Sequence, residues 1–369
     1  MVIFGTRPEA IKLCPLVAML RSSPTCAHLE TRVCVTAQHR HMLDQVLAAF
    51  GIIPDYDLDL MQPGQSLTSL SARLLSGLES VLAEVQPSLV IVQGDTATTL
   101  CGALAAFYAR VPVAHVEAGL RTFDLQSPFP EEMNRVVTGR LAKLHFAATE
   151  WAAENLRKEG VAADFIQVTG NTGIDAVLTI SEAVAQGRVS GLTLDLDAAK
   201  KLIVVTAHRR ESFGEGFIRI CEAVAELAER KDVQIVWPVH PNPNVLRAVD
   251  ATIRGKANVL LIEPLDYLPF VDLMRRAYLL ITDSGGVQEE GPSLGKPILV
   301  LRDKTERPEA VHAGTVKLVG TDRAAIVREA VRLLEDSGEY DRMARLHNPY
   351  GDGLASVRIA ERIAQYLAG

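Results

Sequence analysis

ITDSGGVQEEGPSLGKPILV, Ile281 to Val300, is the stretch on which the fold turns. The apolar run Tyr278 to Thr282 reads as a buried parallel strand, ended by Asp283-Ser284-Gly285-Gly286 before a helical stretch from Val287 to Leu294. A strand that turns through glycines into a helix is the repeating unit of a doubly wound α/β sheet. Bare glycines leave backbone N–H groups uncovered at the helix start, where the helix dipole favours an anion. Glu290, further along the helix, puts a carboxylate where it can accept hydrogen bonds from a ribose diol. A diphosphate at the helix start and a ribose at a nearby acid is nucleotide-sugar geometry. A plainer reading also stands at this point: Ser284 is an N-cap and the glycines make a turn.

Outward from this segment, strands and helices alternate. Short Val/Ile/Leu runs occur at Val33 to Thr36, Leu89 to Gln93, Val113 to Val116, Leu144 to Ala147 and Phe165 to Val168, with helical patterns such as Thr96 to Arg110 and Trp151 to Glu159 between them. This is the pattern of a parallel sheet covered on both faces. Ala183 to Ala199 is polar, holds Gly and Asp and lacks a strand, and it reads as a linker. The alternation restarts at Leu202 to Thr206, Val233 to Val239, Val259 to Ile262, Tyr278 to Thr282 and Pro297 to Leu301. The expected fold is α/β, with two Rossmann-like doubly wound domains around a central cleft. The first covers 1–182, the linker 183–199 and the second 200–354. The amphipathic C-terminal helix, 355–369, is expected to pack back on the first domain.

The chain has 369 residues, 48% hydrophobic and 22% charged, which suits two ordinary domains. A net charge of −7 without a polybasic run argues against nucleic acid or an anionic membrane surface as partner. Arg7, Lys12, Arg121, Arg135, Arg209, Arg210 and Arg307 instead sit in or beside predicted loops, which suggests a small anionic substrate. Five cysteines show no CxxC spacing and read as small buried hydrophobes in a reducing compartment. No signal sequence precedes the first strand and no apolar stretch is long enough to span a bilayer, so a cytoplasmic protein is expected. That strand, Val2 to Phe4, is short, and a few residues ahead of it are expected to be lacking.

In open α/β sheets ligands bind beyond the carboxyl ends of the strands. Gly5 to Lys12, GTRPEAIK, follows the first strand: Gly5 allows close approach, Pro8 suits a first helical turn, and Arg7 and Lys12 would project toward an anion. Asp95 follows the strand ending at Gln93, and Glu117 the strand ending at Val116. Carboxylates on neighbouring strand ends suit acid/base work, because paired charges separate their pKa values; Asp95 also reads as a cap for the following helix. Glu131 and Glu132 open a helix in FPEEMNR, where the dipole alone would explain them. His208, beside Arg209 and Arg210, reads as a phosphate donor, a general acid or a structural histidine. His240 reads as support, and Arg307 as a sugar contact or a surface ion pair. No histidine pair has zinc-site spacing, so neither a metal nor another cofactor is expected.

GTRPEAIK, TAQHR (Thr36 to Arg40), QGDT (Gln93 to Thr96), HVEAGLRT (His115 to Thr122), PEEMNR (Pro130 to Arg135), GNT (Gly170 to Thr172), HRRESFG (His208 to Gly214), PVHPNPNV (Pro238 to Val245), DSGGVQEE (Asp283 to Glu290), TERPEAV (Thr305 to Val311) and NPYGDG (Asn348 to Gly353) together resemble the bacterial non-hydrolysing UDP-N-acetylglucosamine 2-epimerases. The resemblance runs nearly end to end. It implies a glycosyltransferase-B type fold and reversible conversion of UDP-N-acetylglucosamine to UDP-N-acetylmannosamine, for surface polysaccharide precursors. The implied route eliminates UDP to a 2-acetamidoglucal and adds it back. Carried over residue by residue, the resemblance implies Asp95, Glu117 and Glu131 as the acid/base set, with His208 at the diphosphate. It implies Arg7, Lys12 and Arg135 near the phosphates or sugar, Ser284, Gly285 and Gly286 at the diphosphate, and Glu290 at the ribose. Arg307 falls at the sugar region, and Leu265 to Phe270 at the uracil, with Leu265 where some relatives carry Gln. Gln38, His39 and Arg40 match a region where many members bind a second substrate molecule as activator, but His41 and Gly64 differ from some regulated relatives. A homodimer is expected.

Four rivals share parts of this pattern. A transferase of the same fold would need an acceptor site and has less use for three carboxylates. A hydrolysing epimerase would release free N-acetylmannosamine and UDP. A relative acting on a UDP-diacetamido or uronic-acid sugar would differ only in sugar decoration. A nucleotide-sugar sensor would not need the carboxylates.

Overall fold

The computed structural model describes residues 1–36, 40–60, 62, 64–209, 213–305 and 308–369. The chain divides into two compact units, Met1–Ala176 with Gly351–Gly369, and Val177–Tyr350. Each unit is built on one parallel sheet.

The first sheet holds β1 (Val2–Phe4), β2 (Val33–Val35), β3 (Tyr56–Asp57), β4 (Val90–Gln93), β5 (Val113–Val116), β6 (Leu144–Ala147) and β7 (Ile166–Val168), in the order β3-β2-β1-β4-β5-β6-β7. β1, β2, β4, β5 and β6 are buried along their whole length. That is why they read as unbroken apolar runs rather than alternating ones. The second sheet holds β8 (Lys201–Thr206), β9 (Val233–Pro238), β10 (Val259–Ile262), β11 (Leu279–Thr282), β12 (Ile298–Val300) and β13 (Val316–Leu318), ordered β10-β9-β8-β11-β12-β13. Its core centres on the fully buried Trp237 with Ile203, Ile235, Phe217 and Leu299. The two short edge strands β3 and β13 were not among the strands expected.

Both sheets reverse winding direction at one place. The chain runs from β1 out to β2 and β3, then returns to β4 on the other side of β1. It runs likewise from β8 to β9 and β10, then returns to β11 beside β8. At such a switch the connections diverge and leave a crevice beyond the strand ends. The β1/β4 and β8/β11 edges are therefore where each unit can hold a ligand.

Two local expectations change. The helix after β11 begins at Gly285 rather than Val287, spans Gly285–Glu290, and passes into a 3₁₀ turn, Gly291–Leu294. Pro292 has no N–H to continue an α-helical ladder, and Gly291 packs so tightly that a Cβ there would lie 2.7 Å from Ile298. The helix Thr172–Ala185 runs on past 182, because its buried face still includes Ala183. Irregular chain follows, and Leu192 within it is pinned by its N–H to Asp272, at 2.9 Å.

The C-terminal helix, Ala355–Ala368, packs on the first helix, Arg7–Ser22, and buries Ile359, Ala360, Ile363 and Ala364. Its own cap position, Leu354, supplies no side-chain bond. Asp175 substitutes from a distance: its carboxylate accepts the N–H of Ala355 at 3.3 Å and of Ser356 at 2.7 Å. Asp175→Ala leaves two N–H groups buried without acceptors and should cost about 1–3 kcal/mol. The expected result is a lower melting temperature and faster proteolytic trimming near residue 354, while Asp175→Asn recovers much of both. An unchanged cleavage rate would remove Asp175 as the cap.

Candidate functional site

At the β1/β4 edge the turns are tied by one buried carboxylate. Glu9 is 1% exposed. One of its oxygens accepts the N–H groups of Gly5 (3.1 Å) and Thr6 (2.8 Å), and the other accepts the hydroxyls of Thr96 (2.7 Å) and Thr99 (3.2 Å). Thr6 and Glu9 form a capping box on the first helix, and Thr96 with Thr99 forms another on the helix Ala97–Tyr108. Thr96, not Asp95, is therefore the cap, and the Asp95 carboxylate is left for other work.

Two cation–carboxylate pairs stand on the neighbouring strand ends. Lys12 Nζ lies 2.6 Å from both oxygens of Glu117, and the Gln93 amide donates to the same carboxylate. Glu117 holds this place with φ 61, left-handed backbone that a glutamate adopts only when its surroundings impose it. Arg135 donates to Asp95 Oδ2 at 2.6 Å, and Asn134 Nδ2 donates to the Asp95 carbonyl at 2.8 Å. Both come from the helix Glu131–Leu141. Burial pushes the Asp95 carboxyl above the usual carboxylate range, against the pull of Arg135 and Lys12, and Glu131 adds to the rise. Lys12, Glu117, Asp95, Arg135 and Glu131 are thus one charge cluster on the first unit. Arg7 is the first residue of the first helix at the same edge.

Sequence reasoning missed the groups that hold this cluster. Glu132 is fully buried; one oxygen accepts the N–H groups of Thr122 and Phe123, both at 3.0 Å, and the other lies 3.4 Å from Arg135. Gln93, Asn134 and Glu9 are the others. The polar residue at the end of an apolar run was the available signal for Gln93. For Glu132 the dipole explanation hid it.

His115 on β5 donates through Nε2 to the Gly94 carbonyl at 2.8 Å, bracing the turn that carries Asp95. Burial pushes this imidazole down to about 3, and lowers that of His145 on the adjacent strand too. Between that value and the unfolded value near 6.5 the unfolded chain binds the extra proton, so stability rises with pH and is lost as pH falls below about 6.5. At about 1.4 kcal/mol per pH unit, His115 should cost about 2 kcal/mol between pH 7 and pH 5. Thermal unfolding at the two pH values tests this: His115→Gln, which keeps an N–H donor but does not titrate, should lose clearly less of its melting temperature than the parent. Equal losses would exclude His115 as the origin.

At the β8/β11 edge Thr206 and Thr282 share a hydroxyl–hydroxyl bond of 2.6 Å. The next residue, Asp283, is fully buried and accepts the N–H groups of His208 (2.6 Å) and Arg209 (2.7 Å). Its second oxygen is 3.4 Å from His208 Nδ1. The exposed His208 ring stacks on His240, with centroids 5.6 Å apart and planes 10° from parallel. Asp283, unnamed as a site residue from sequence, is thus what aims His208. Ser284 occupies the N-cap position of the following helix but its side chain makes no capping bond. A Cβ on the exposed Gly286 would meet only Ser284 Oγ at 3.9 Å and Glu290 Oε1 at 4.0 Å. Gly285 is buried beside it. The result is bare backbone flanked by a hydroxyl and a carboxylate. Leu265 and Phe270 are half-buried on either side of the buried Tyr267, which opens the helix Tyr267–Arg276.

Asp95, Glu117, Glu131, Lys12 and Arg135 come together in the first unit. His208, Ser284, Gly285, Gly286 and Glu290 line the switch-point edge of the second. Gln38, His39, Arg210 and Arg307 lie outside the described residues, and Arg40 is described only as the first residue of the helix Arg40–Ala49. Arg121 is a correction. It is 5% exposed and bound by Glu159 at 2.6 and 3.0 Å, so it faces a structural partner rather than an anionic ligand. Among the described residues no group of three or more His, Cys, Asp or Glu could hold a metal ion. No helix among them is long and apolar enough to cross a membrane.

Comparison with known proteins gives a consistent result. The sequence model for a family described as UDP-N-acetylglucosamine 2-epimerase matches residues 23–364. The UDP-N-acetylglucosamine 2-epimerase of Salmonella typhimurium is 56% identical, over 99% of this chain and 98% of its own. That of Escherichia coli K12 is 57% identical, over 98% and 97%. Among solved structures, UDP-GlcNAc 2-epimerase from Neisseria meningitidis bound to UDP-GlcNAc superposes with a TM-score of 0.86 at 47% identity, covering 99% of each chain.

Proposed function

Because the chain belongs to the UDP-N-acetylglucosamine 2-epimerase family and is thereby an isomerase, we propose that it interconverts UDP-N-acetylglucosamine and UDP-N-acetylmannosamine by eliminating and re-adding UDP. The observation that carries this reading is the cluster of Asp95, Glu117 and Glu131 with Lys12 and Arg135 at the β1/β4 edge.

The proton on carbon 2 is weakly acidic, since no carbonyl flanks it. Breaking the bond from carbon 1 to the diphosphate builds oxocarbenium character, and that makes the proton removable. The electron pair of the carbon–hydrogen bond becomes the glycal double bond, and UDP leaves with the pair of the carbon–oxygen bond. Reversal with protonation on the opposite face gives the epimer. Inversion therefore needs acid/base groups on two faces, and Asp95 and Glu117 sit on separate strand ends with separate cations. Asp95, whose proton affinity burial raises, suits a group that must both take and return a proton. Glu131 completes the acid/base set. Lys12, Arg7 and Arg135 supply positive charge for phosphate or sugar. In the second unit His208, the Ser284 hydroxyl and the N–H groups at Gly285 and Gly286 take the diphosphate, Glu290 the ribose, and Leu265 and Phe270 flank the uracil. Arg307 would meet the sugar. The chain is proposed to act as a homodimer in the cytoplasm, supplying precursors of surface polysaccharides.

Proton NMR of the purified protein with UDP-N-acetylglucosamine in deuterated water tests the proposal. The expected result is a mixture of both UDP-sugars carrying deuterium at carbon 2, stopping short of completion. Free UDP with free N-acetylmannosamine would establish the hydrolysing reaction instead. No deuterium and no conversion would point to a sugar decorated differently, or to a transferase.

A further inference from the structure

Tyr267 is 7% exposed, yet among the described residues its hydroxyl has no hydrogen-bond partner. Folded chains avoid burying an O–H without an acceptor, because the group gives up its water and gains nothing. Phenylalanine would fill the same space without that cost. The position keeps a donor that the unliganded chain does not use.

Its surroundings show where an acceptor can come from. The helix Tyr267–Arg276 packs against the 3₁₀ turn Gly291–Leu294, which directly follows Glu290. Glu290 lies within electrostatic reach of the phenol. The same carboxylate borders the bare backbone at Gly286, as does the Ser284 hydroxyl. Burial, with the charge of Glu290 adding to it, pushes the phenol well above its usual range, so Tyr267 stays a donor at every working pH.

We propose that Tyr267 is a positioning residue for the nucleotide's ribose, acting through Glu290. When Glu290 is drawn onto the 2′- and 3′-hydroxyls, its carboxylate accepts the Tyr267 O–H. That bond fixes the plane of the carboxylate against the diol, so the site distinguishes ribose from 2′-deoxyribose. The inference rests on the nucleotide-sugar reading above and deepens it, since that reading places Tyr267 only within the stretch expected at the uracil and gives its hydroxyl no part at the ribose.

Calorimetric titration with UDP and with 2′-deoxy-UDP, on the parent protein and Tyr267→Phe, tests it together with melting temperatures without ligand. Unliganded Tyr267→Phe should melt at or above the parent temperature, since only an unpartnered hydroxyl is lost. It should bind UDP about three- to tenfold more weakly. Binding of 2′-deoxy-UDP should change less, so the preference for ribose narrows. In turnover the loss should appear in KM, with kcat nearly constant. A variant that melts well below the parent without ligand would make Tyr267 a structural residue and overturn the inference. So would an unchanged ratio of the two affinities. A parent protein that binds neither nucleotide would overturn the nucleotide-sugar reading and this inference with it. A parent that binds UDP beside a variant that loses nothing would overturn this inference alone.

Discussion

Glu117→Gln is expected to lower kcat for epimerisation by about two to four powers of ten, while UDP binds as well as before or more tightly. The substitution keeps the shape of the side chain but removes its charge and its capacity to hold a proton. Lys12, now 2.6 Å from both carboxylate oxygens, would face a neutral amide and keep its full positive field for a phosphate. Binding and chemistry should therefore separate, which a loss of fold could not produce. Asp95→Asn is the companion. It should also cut kcat strongly, by removing a carboxylate that takes and returns a proton, and it frees Arg135 rather than Lys12; its residual deuterium exchange at carbon 2 need not match that of Glu117→Gln. Full activity in either variant would remove that carboxylate from the acid/base set. Equal loss of activity and UDP binding would mean that the substitution had disturbed the fold.

The second large effect is on stability. Gly119 has φ +90, and a Cβ built on it would stand 2.2 Å from the carbonyl oxygen of Ala152. That oxygen belongs to the helix Glu150–Lys158 and cannot swing aside as a side chain would. Left-handed backbone costs a non-glycine residue roughly 1–2 kcal/mol, and overpacking adds roughly 1–3 kcal/mol, so Gly119→Ala should cost about 3 kcal/mol or more. For a unit of this size that is a fall of about 10 °C in melting temperature. Gly160→Ala is the control: φ is +86 there, but nothing lies within 4 Å of the added Cβ. It carries the backbone strain without the collision and should cost about 1 kcal/mol. Equal effects would show that the collision is relieved at little cost. Gly119→Ala should also lower kcat in the folded fraction, because Glu117 lies two residues before it and the Gly119 carbonyl is held by Asn155 at 3.0 Å.

How far the sequence reaches can be judged at particular residues. β4, β5 and β11 are apolar runs because both their faces are covered, and that pattern is legible without coordinates. The capping boxes at Thr6 and Thr96 are also local, with donor and acceptor within one helical turn, but the residue pattern alone does not single them out. Asp95 shows the limit. As a sequence position beside Thr96 it serves equally well as a cap or as a free carboxylate, and only the capping bond of Thr96 decides between them. Arg121 and Arg135 look alike from the sequence. One is consumed by Glu159 and the other reaches Asp95, 40 residues earlier in the chain. Glu132 looks like ordinary helix-start charge, yet it is fully buried and holds both Arg135 and the backbone at residues 122 and 123.

The sequence by itself determined the alternation of strand and helix, the two sheets, and the strand ends at which unusual residues gather. These follow from hydrophobic period and capping, which act over a few residues. Only the tertiary structure decided the strand order that sets β1 against β4 and β8 against β11, and with it the partner of each charge. Lys12 meets Glu117 across 105 residues, and Asp283 meets the His208 backbone across 75. The physical reason is that an ion pair or a buried hydrogen bond depends on distance and desolvation in space, and neither quantity is encoded in spacing along the chain.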